Sequence, residues 1–199
     1  MENLQNITIS DYLIREIGGN INKRNQIPKL IELIKQRTQN EILDLVRGDG
    51  NCLIRAIIRY MRKHTPQIFV NVVINLFELS GRNIIIPEIG NNIDRKVHDN
   101  YDDIVCVVIR ELIEKRWDYK GSAMYHMDDN AIDGDAIRMV LRLMGINDLN
   151  IFQAFDGADR KQGWRNIKLN SSEKLFHDHT NGISVALFTL NGCHYSAIV

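Results

Sequence analysis

One cysteine lies in a sequence context that suits nucleophilic chemistry. Cys52 follows the glycine-containing segment 48–51 (Gly-Asp-Gly-Asn) and precedes a long apolar run. This pattern predicts a turn that delivers the thiol into the first turn of a buried helix. Unpaired backbone N–H groups and the helix dipole stabilise an anion there, so a thiolate is favoured. The same N–H groups can hold the oxyanion that forms when a thiolate attacks a carbonyl group.

A histidine near the end of the chain can supply the matching base. His194 follows an apolar segment, 183–190, and the turn signal Asn191-Gly192. An imidazole close to a thiol can accept its proton and later return one to a leaving group. Together the two segments predict a cysteine hydrolase or transferase site.

The elements that position these residues follow from apolar periodicity. Helices are predicted at 9–17, from 28, and at 52–63, 66–79, 104–113 and 137–144, and strands at 42–46, 83–86, 149–155, 183–190 and 194–199. Helices dominate the first two-thirds and strands the last third. The fold class is therefore α+β, with a small central sheet packed between helices. The charges of Arg59, Arg62 and Lys63 predict a solvated end of the helix that Cys52 begins.

Composition excludes several classes of protein. Hydrophobic residues make up 44% of the 199 residues, and 25 basic residues balance 25 acidic ones. A chain without basic excess is not expected to bind nucleic acid. The three cysteines, Cys52, Cys106 and Cys193, are widely spaced, which predicts free thiols rather than disulfides or a zinc site. We expect no metal and no organic cofactor.

The expected location is the cytoplasm. The chain has neither a signal-peptide pattern nor an apolar run of about 20 residues, the length that spans a bilayer. No membrane association is therefore expected. The abundance of Ile and Asn is typical of AT-rich genomes, such as those of viruses and intracellular bacteria. One interpretation is an effector that acts in the host cytoplasm.

The two motifs together resemble a known family. The segment 49–52 (Asp-Gly-Asn-Cys), followed by an apolar helix, resembles the nucleophile motif of the ovarian-tumour (OTU) cysteine proteases. His194-Tyr195 after an apolar strand and a short turn is similar to their histidine motif. The resemblance covers 42–199. We expect residues 41–199 to form an OTU-like, papain-like catalytic domain and residues 1–40 an N-terminal helical extension.

The resemblance implies a deubiquitinase. Its reaction is thiol-dependent hydrolysis of the isopeptide bond at the C-terminus of ubiquitin, with Cys52 as nucleophile and His194 as base. Gly50 and Asn51 would contribute to the oxyanion hole with the Cys52 N–H. The partner would be ubiquitin or polyubiquitin, or a ubiquitin-like modifier.

The group that orients the imidazole is open at this level. Many family members have Asp or Asn two residues after the histidine, where this chain has Ser196. Other members use the Asp three residues before the cysteine, which is Asp49. We expect Asp49 to take this role, with Ser196 as the secondary candidate.

The substrate groove is expected to be acidic, because the tail of ubiquitin is extended and basic. Asp133, Gly134 and Tyr195 are its candidate residues, and Asp128 and Asp129 could extend an acidic wall. Three alternatives stay open. The chain could bind ubiquitin without cleaving it, as Ser196 suggests, it could act on a ubiquitin-like modifier, or its motifs could be coincidental in a purely structural domain.

Overall fold

The computed structural model describes residues 6–84, 86, 95–118, 132–156, 161–169, 183–192 and 194–199. Its strands are β1 (Asn6–Thr8), β2 (Ile42–Asp44), β3 (Asp148–Gln153), β4 (Gly163–Lys168), β5 (Ser184–Thr189) and β6 (Tyr195–Ile198). Its helices are α1 (Ile9–Ile17), α2 (Ile21–Arg24), α3 (Ile27–Thr38), α4 (Cys52–His64), α5 (Pro66–Ser80), α6 (Arg95–Trp117) and α7 (Ile132–Met144).

The strands form one mixed sheet in the order β1-β2-β6-β5-β3-β4. β3 and β5 are parallel, and the other neighbouring strands are antiparallel. The predicted α+β class with a central sheet between helices is confirmed. The pairing of β2 with β6 matters most for the site, because it places the chain that leads to the cysteine beside the chain that leaves the histidine.

Two apolar cores lie on opposite faces of the sheet. The first is built from α4, α5, α6 and α7 against residues such as Leu187, Tyr195 and Ala197. The second is built from α1 and α3 against the alternate residues, such as Phe188 and Ile198. The alternation follows from the period of two along a strand. The described N-terminal elements, β1 to α3, therefore share the sheet and a core with the rest of the chain.

The predicted helices at 9–17, from 28, 52–63, 66–79, 104–113 and 137–144 are confirmed as α1, α3, α4, α5, α6 and α7. α1 has Thr8 as its N-cap, whose Oγ accepts a hydrogen bond from the Asp11 N–H at 3.0 Å. α5 starts at Pro66 and ends at Ser80, and its C-cap Gly81 has a φ of 69°, which suits a residue without a side chain. These local signals explain why the boundaries were close to those expected.

The predicted strand at 83–86 was wrong. Asn83 and Ile84 have no regular structure, and Ile84 and Ile86 are exposed. An apolar run forms a strand only where a neighbouring strand can pair with it, and these residues follow the end of α5 at the surface. The predicted strands at 42–46, 149–155, 183–190 and 194–199 are confirmed as β2, β3, β5 and β6, whereas β1, α2 and β4 were not predicted.

Among the residues that the structure describes, no helix is both long enough and apolar enough to cross a membrane.

Candidate active site

Cys52 is the first residue of α4 and is almost fully buried. Its N-cap, Asn51, makes no capping hydrogen bond with its own side chain, so the first-turn N–H groups remain available. Backbone N–H groups of Cys52, Leu53 and Tyr195 donate to the sulfur and lower the pKa of the thiol. Burial has the larger effect and raises that pKa above its ordinary value. The thiol is therefore protonated at neutral pH.

His194 directly precedes β6 and packs against the turn before the cysteine. A Cβ atom added to Gly48 would lie 3.6 Å from Nδ1 and 3.7 Å from Cε1 of the ring. The ring donates a hydrogen bond to the carbonyl group of Val46, which raises its pKa. Burial has the larger effect and lowers the pKa of His194 below its ordinary value. The imidazole is therefore neutral at neutral pH and able to accept a proton.

The start of β6 lies at the sulfur of Cys52. The residue that follows His194 donates its N–H to the sulfur of Cys52, and the charge of Asp49 acts on both the thiol and the imidazole. The charge of Asp49 thus links the two residues that the sequence proposes as nucleophile and base, Cys52 and His194. A neutral thiol beside a neutral imidazole can react by general-base catalysis, in which the ring takes the proton as the sulfur attacks.

Asp49 shapes the turn through both of its carboxylate oxygens. Oδ1 accepts the Asn51 N–H at 3.1 Å, and Oδ2 accepts from Nη2 of Arg55 at 2.5 Å. The first contact is a local Asx turn, and the second is an ion pair with a fully buried guanidinium. Asp49 acts on His194 through its charge, which raises the pKa of the ring. The same charge raises the pKa of the Cys52 thiol.

The carbonyl group of Val46 is the hydrogen-bond partner of the imidazole that sequence reasoning missed. Asp44 pairs with Ala197 in the β2–β6 ladder, so extending this antiparallel register places Val46 level with Tyr195. A prediction that the strand before Cys52 pairs with the strand after His194 could have located this carbonyl group.

Ser196, the secondary candidate, lies in the middle of β6 opposite Phe188 and is buried. Among the side-chain hydrogen bonds of the described residues, none joins its hydroxyl to His194. Its position two residues beyond the histidine therefore brings it into the sheet rather than to the ring.

A pair of substitutions separates the two candidates for orienting the ring. Asp49→Asn removes a negative charge that raises the pKa of both His194 and Cys52. We expect both values to fall, so that alkylation of Cys52 by iodoacetamide at pH 7 becomes faster while His194 titrates at lower pH. Ser196→Ala should change neither quantity. The alkylation pH profile and an NMR titration of the histidines measure both. A shift in Ser196→Ala without one in Asp49→Asn would contradict this assignment.

The oxyanion-hole candidates differ in what their backbone groups do. The Asn51 N–H is directed to Asp49, whereas the Cys52 N–H is directed to the thiol. Gly50 has a φ of 79°, a conformation that favours glycine. The Gly50 carbonyl and the Asn51 side chain are both bound by Arg110. In this turn the Asn51 N–H is therefore engaged by a side chain, whereas the Cys52 N–H lies next to the sulfur.

The expected groove residues are placed only in part. Tyr195 contributes its backbone N–H, because its ring is buried in the first core and its hydroxyl donates to the Gly192 carbonyl at 3.2 Å. Asp133 and Gly134 lie in the first turn of α7, and their side-chain surroundings are outside the described part of the chain. Asp128, Asp129 and Cys193 also lie outside the described residues.

An ion-pair network fixes α4 against α6. Asp103 accepts from Arg47 at 2.5 Å and from Arg55 at 2.6 Å. Asp102, fully buried, pairs with Arg59 at 2.7 Å and with Arg62. The expected solvated helix end was wrong for Arg59 and Arg62, which are almost fully buried. Buried arginines require such partners, so the carboxylates of α6 fix the position of α4.

Metal ligation has no support in the described residues, where no cluster of three or more His, Cys, Asp or Glu side chains could hold an ion. The site as described consists of protein groups: a thiol, an imidazole, a backbone carbonyl and a carboxylate. These suffice for acyl transfer through a covalent intermediate.

Comparison with known proteins gives a structural likeness only. No protein-family model matches the chain, and no curated protein matches it. Two similar solved structures are a ceOTUB1 complex with ubiquitin aldehyde and UBC13~Ub and an h/ceOTUB1 complex with ubiquitin aldehyde and UBCH5B~Ub. The TM-scores are 0.55 and 0.56, both at 14% identity. Each likeness covers 98% of this chain, and 92% and 88% of the respective neighbour. The chain therefore has the OTU fold that its two motifs indicated.

Proposed function

We propose that this protein is a deubiquitinase that hydrolyses isopeptide bonds at the C-terminus of ubiquitin through the thiol of Cys52. One observation carries the proposal. The N–H of Tyr195, the residue after His194, is directed to the Cys52 sulfur, and the ring of His194 lies against Gly48, four residues before the cysteine. The likeness to OTUB1 complexes with ubiquitin aldehyde supports ubiquitin as the partner.

The reaction would begin from a neutral pair. As the sulfur attacks the carbonyl carbon of the last glycine of ubiquitin, His194 accepts the thiol proton and becomes an imidazolium. The Cys52 N–H donates to the new oxyanion. The imidazolium then protonates the lysine amine as the C–N bond breaks, leaving a thioester. His194 next takes a proton from the water that attacks the thioester, and it returns this proton to the sulfur as the C–S bond breaks and ubiquitin leaves.

The Val46 carbonyl and Asp49 would support the imidazolium in different ways. The carbonyl group accepts the ring N–H and so fixes the ring plane, whereas Asp49 acts through its charge. Both effects raise the pKa of His194 and therefore favour the protonated ring that the reaction needs. In this site a backbone carbonyl group and a carboxylate would therefore share the role that a single side chain has in a catalytic triad.

A second candidate is a ubiquitin-binding protein that does not hydrolyse its ligand. The raised pKa of Cys52 favours it, because the resting thiol is protonated. The pairing of Asp49 with Arg55 favours it too, because that carboxylate oxygen is then directed to a guanidinium and not to the imidazole. The choice between these candidates depends on whether bound substrate draws the proton from Cys52 to His194. A ubiquitin-like modifier in place of ubiquitin would use the same chemistry.

The test is the reaction of the protein with ubiquitin that carries a thiol-reactive electrophile at its C-terminus. We expect one ubiquitin to become attached to wild-type protein, and none to Cys52→Ala. Cys106→Ala is the matched control and should react like wild type, because burial raises the pKa of that thiol to about 12. Probes built on ubiquitin-like modifiers, run in parallel, define the modifier class.

Each outcome separates the candidates. If well-folded wild-type protein binds ubiquitin but forms no adduct, the second candidate, a protein that binds ubiquitin without hydrolysis, is correct. An adduct with a ubiquitin-like probe alone assigns a different modifier. We further propose that the catalytic unit spans residues 41–199 and that the N-terminal extension 1–40 supports it through the strand and helices that share its sheet and core. We place it in the cytoplasm, or in a host cytoplasm if it is an effector, where conjugated ubiquitin occurs.

A further inference from the structure

Arg110 of α6 binds the turn that precedes the cysteine at two points. Its Nε donates to Oδ1 of Asn51 at 2.5 Å, and its Nη2 donates to the carbonyl oxygen of Gly50 at 2.8 Å. A Cβ atom added to Gly50 would lie 3.5 Å from the same Nη2. The guanidinium therefore packs directly on the residues just before Cys52, although it is 58 residues further along the chain.

Two residues of this turn, Gly50 and Asn51, gain their side-chain contact to α6 from Arg110. Gly50 is exposed and has a φ of 79°, so its backbone has the largest freedom to lose. The Asn51 side chain does not cap α4 and instead faces Arg110. Fixing such residues costs backbone entropy, which a contact to the turn must offset. A planar guanidinium with two fixed donors suits this role better than a single point charge.

The other arm of the turn is held from the same helix. Asp103 lies two helical turns before Arg110 in α6 and pairs with Arg55, which in turn pairs with Asp49. α6 therefore holds the turn through an ion-pair chain at Asp49 and through Arg110 at Gly50 and Asn51. The thiol and the imidazole do not depend on Arg110, because α4 and β6 place them.

We propose that Arg110 is a positioning residue for oxyanion binding, an inference that rests on the proposed function. It keeps the Gly50-Asn51 turn in the conformation that directs the Cys52 N–H to the developing oxyanion. Its contribution is therefore realised in the transition state more than in substrate binding. Displacing such a donor by about 1 Å can reduce the rate on the order of 100-fold.

The test compares Arg110→Ala, Arg110→Lys and a control, Arg82→Ala, with wild type. Arg82 pairs with Glu111 on the exposed side of α6, so its loss perturbs the helix without touching the turn. Measured quantities are kcat and KM on a fluorogenic ubiquitin C-terminal substrate, affinity for ubiquitin aldehyde, the pH profile of Cys52 alkylation by iodoacetamide, and Tm. Ubiquitin aldehyde forms a tetrahedral adduct and so reports the oxyanion contact.

For Arg110→Ala we expect kcat to fall about 10- to 100-fold with KM changed less than about two-fold. Affinity for ubiquitin aldehyde should fall in proportion to kcat/KM, as for a transition-state analogue. Arg110→Lys should recover part of kcat, because an ammonium can reach one of the two acceptors. Arg82→Ala should match wild type in all four measurements.

Three results would overturn the proposal: kcat within about two-fold of wild type, a loss confined to KM, or a fall in Tm that accounts for the lost activity. Failure of the proposed function gives a different pattern, because wild type itself then neither turns over nor binds ubiquitin aldehyde. In that case the positioning proposal fails together with the proposed function. The alkylation profile of Arg110→Ala should match that of wild type, because α4 and β6 place the thiol and the imidazole, and a shifted profile would contradict that placement.

Discussion

His194→Ala is expected to reduce turnover of a ubiquitin C-terminal substrate on the order of 10⁴-fold. The imidazole is the base that accepts the Cys52 proton and the acid that protonates the leaving amine, so both halves of the reaction lose their proton carrier. Burial lowers the pKa of His194, and the neutral ring is the active form. The acid limb of kcat/KM in wild type should therefore lie at lower pH than for an exposed histidine.

The control for this substitution is His64→Ala. His64 contacts the carbonyl group of Ile198 at the opposite end of β6, at 3.3 Å, and its loss should leave turnover unchanged. In His194→Ala the thiol should still react with iodoacetamide at alkaline pH, because the nucleophile is intact. Turnover by His194→Ala within about ten-fold of wild type would show that another group moves the proton.

Asp102→Ala is expected to lower the free energy of unfolding by about 3–5 kcal/mol, a large part of the total for a domain. The carboxylate is fully buried between Arg59 and Arg62, whose side chains are 4% and 8% exposed. Arg59 keeps its ion pair with Asp99, whereas Arg62 loses the ion pair that it forms within the described part of the chain. An unpaired charge in such surroundings is far more costly than an empty space. Urea denaturation measures the difference.

Glu111→Ala is the matched control, since it removes another α6 carboxylate from an arginine. Its partner Arg82 is 43% exposed and Glu111 is 50% exposed, so water replaces the lost contact. We expect a change of about 0.5 kcal/mol. Equal losses in the two variants would mean that burial does not determine the strength of the α4–α6 network.

The sequence predicts those parts of the fold that follow from local patterns. α1, α4 and α5 have apolar faces together with caps or breakers, and such signals act over a few residues. β4 was missed because it is an edge strand with one neighbour and alternating exposure, and it lacks an apolar run. The first turns of α6 were missed for a different reason. Their carboxylates pair with arginines of α4, about 40 positions earlier, and no local pattern reports a pairing at that distance.

The same distinction applies to the site. Cys52 and His194 could be found because a motif surrounds each of them. Arg110 lies 58 residues from Cys52 in an ordinary amphipathic helix, so only the fold reveals what it contacts. The imidazole's hydrogen-bond partner is harder still to find. It is a main-chain oxygen, and every residue type has one.

The contribution of the Val46 carbonyl therefore cannot be detected by substituting side chains. Alanine scanning would identify Cys52, His194 and their charged neighbours, but it would pass over residue 46, because Ala presents the same oxygen. Random mutagenesis is equally insensitive to a group that no codon encodes. Chemical synthesis with an ester in place of the peptide bond after Val46 weakens that acceptor and would reveal its contribution. A protein of this design can lose side-chain members of its site by mutation and still keep its histidine aligned.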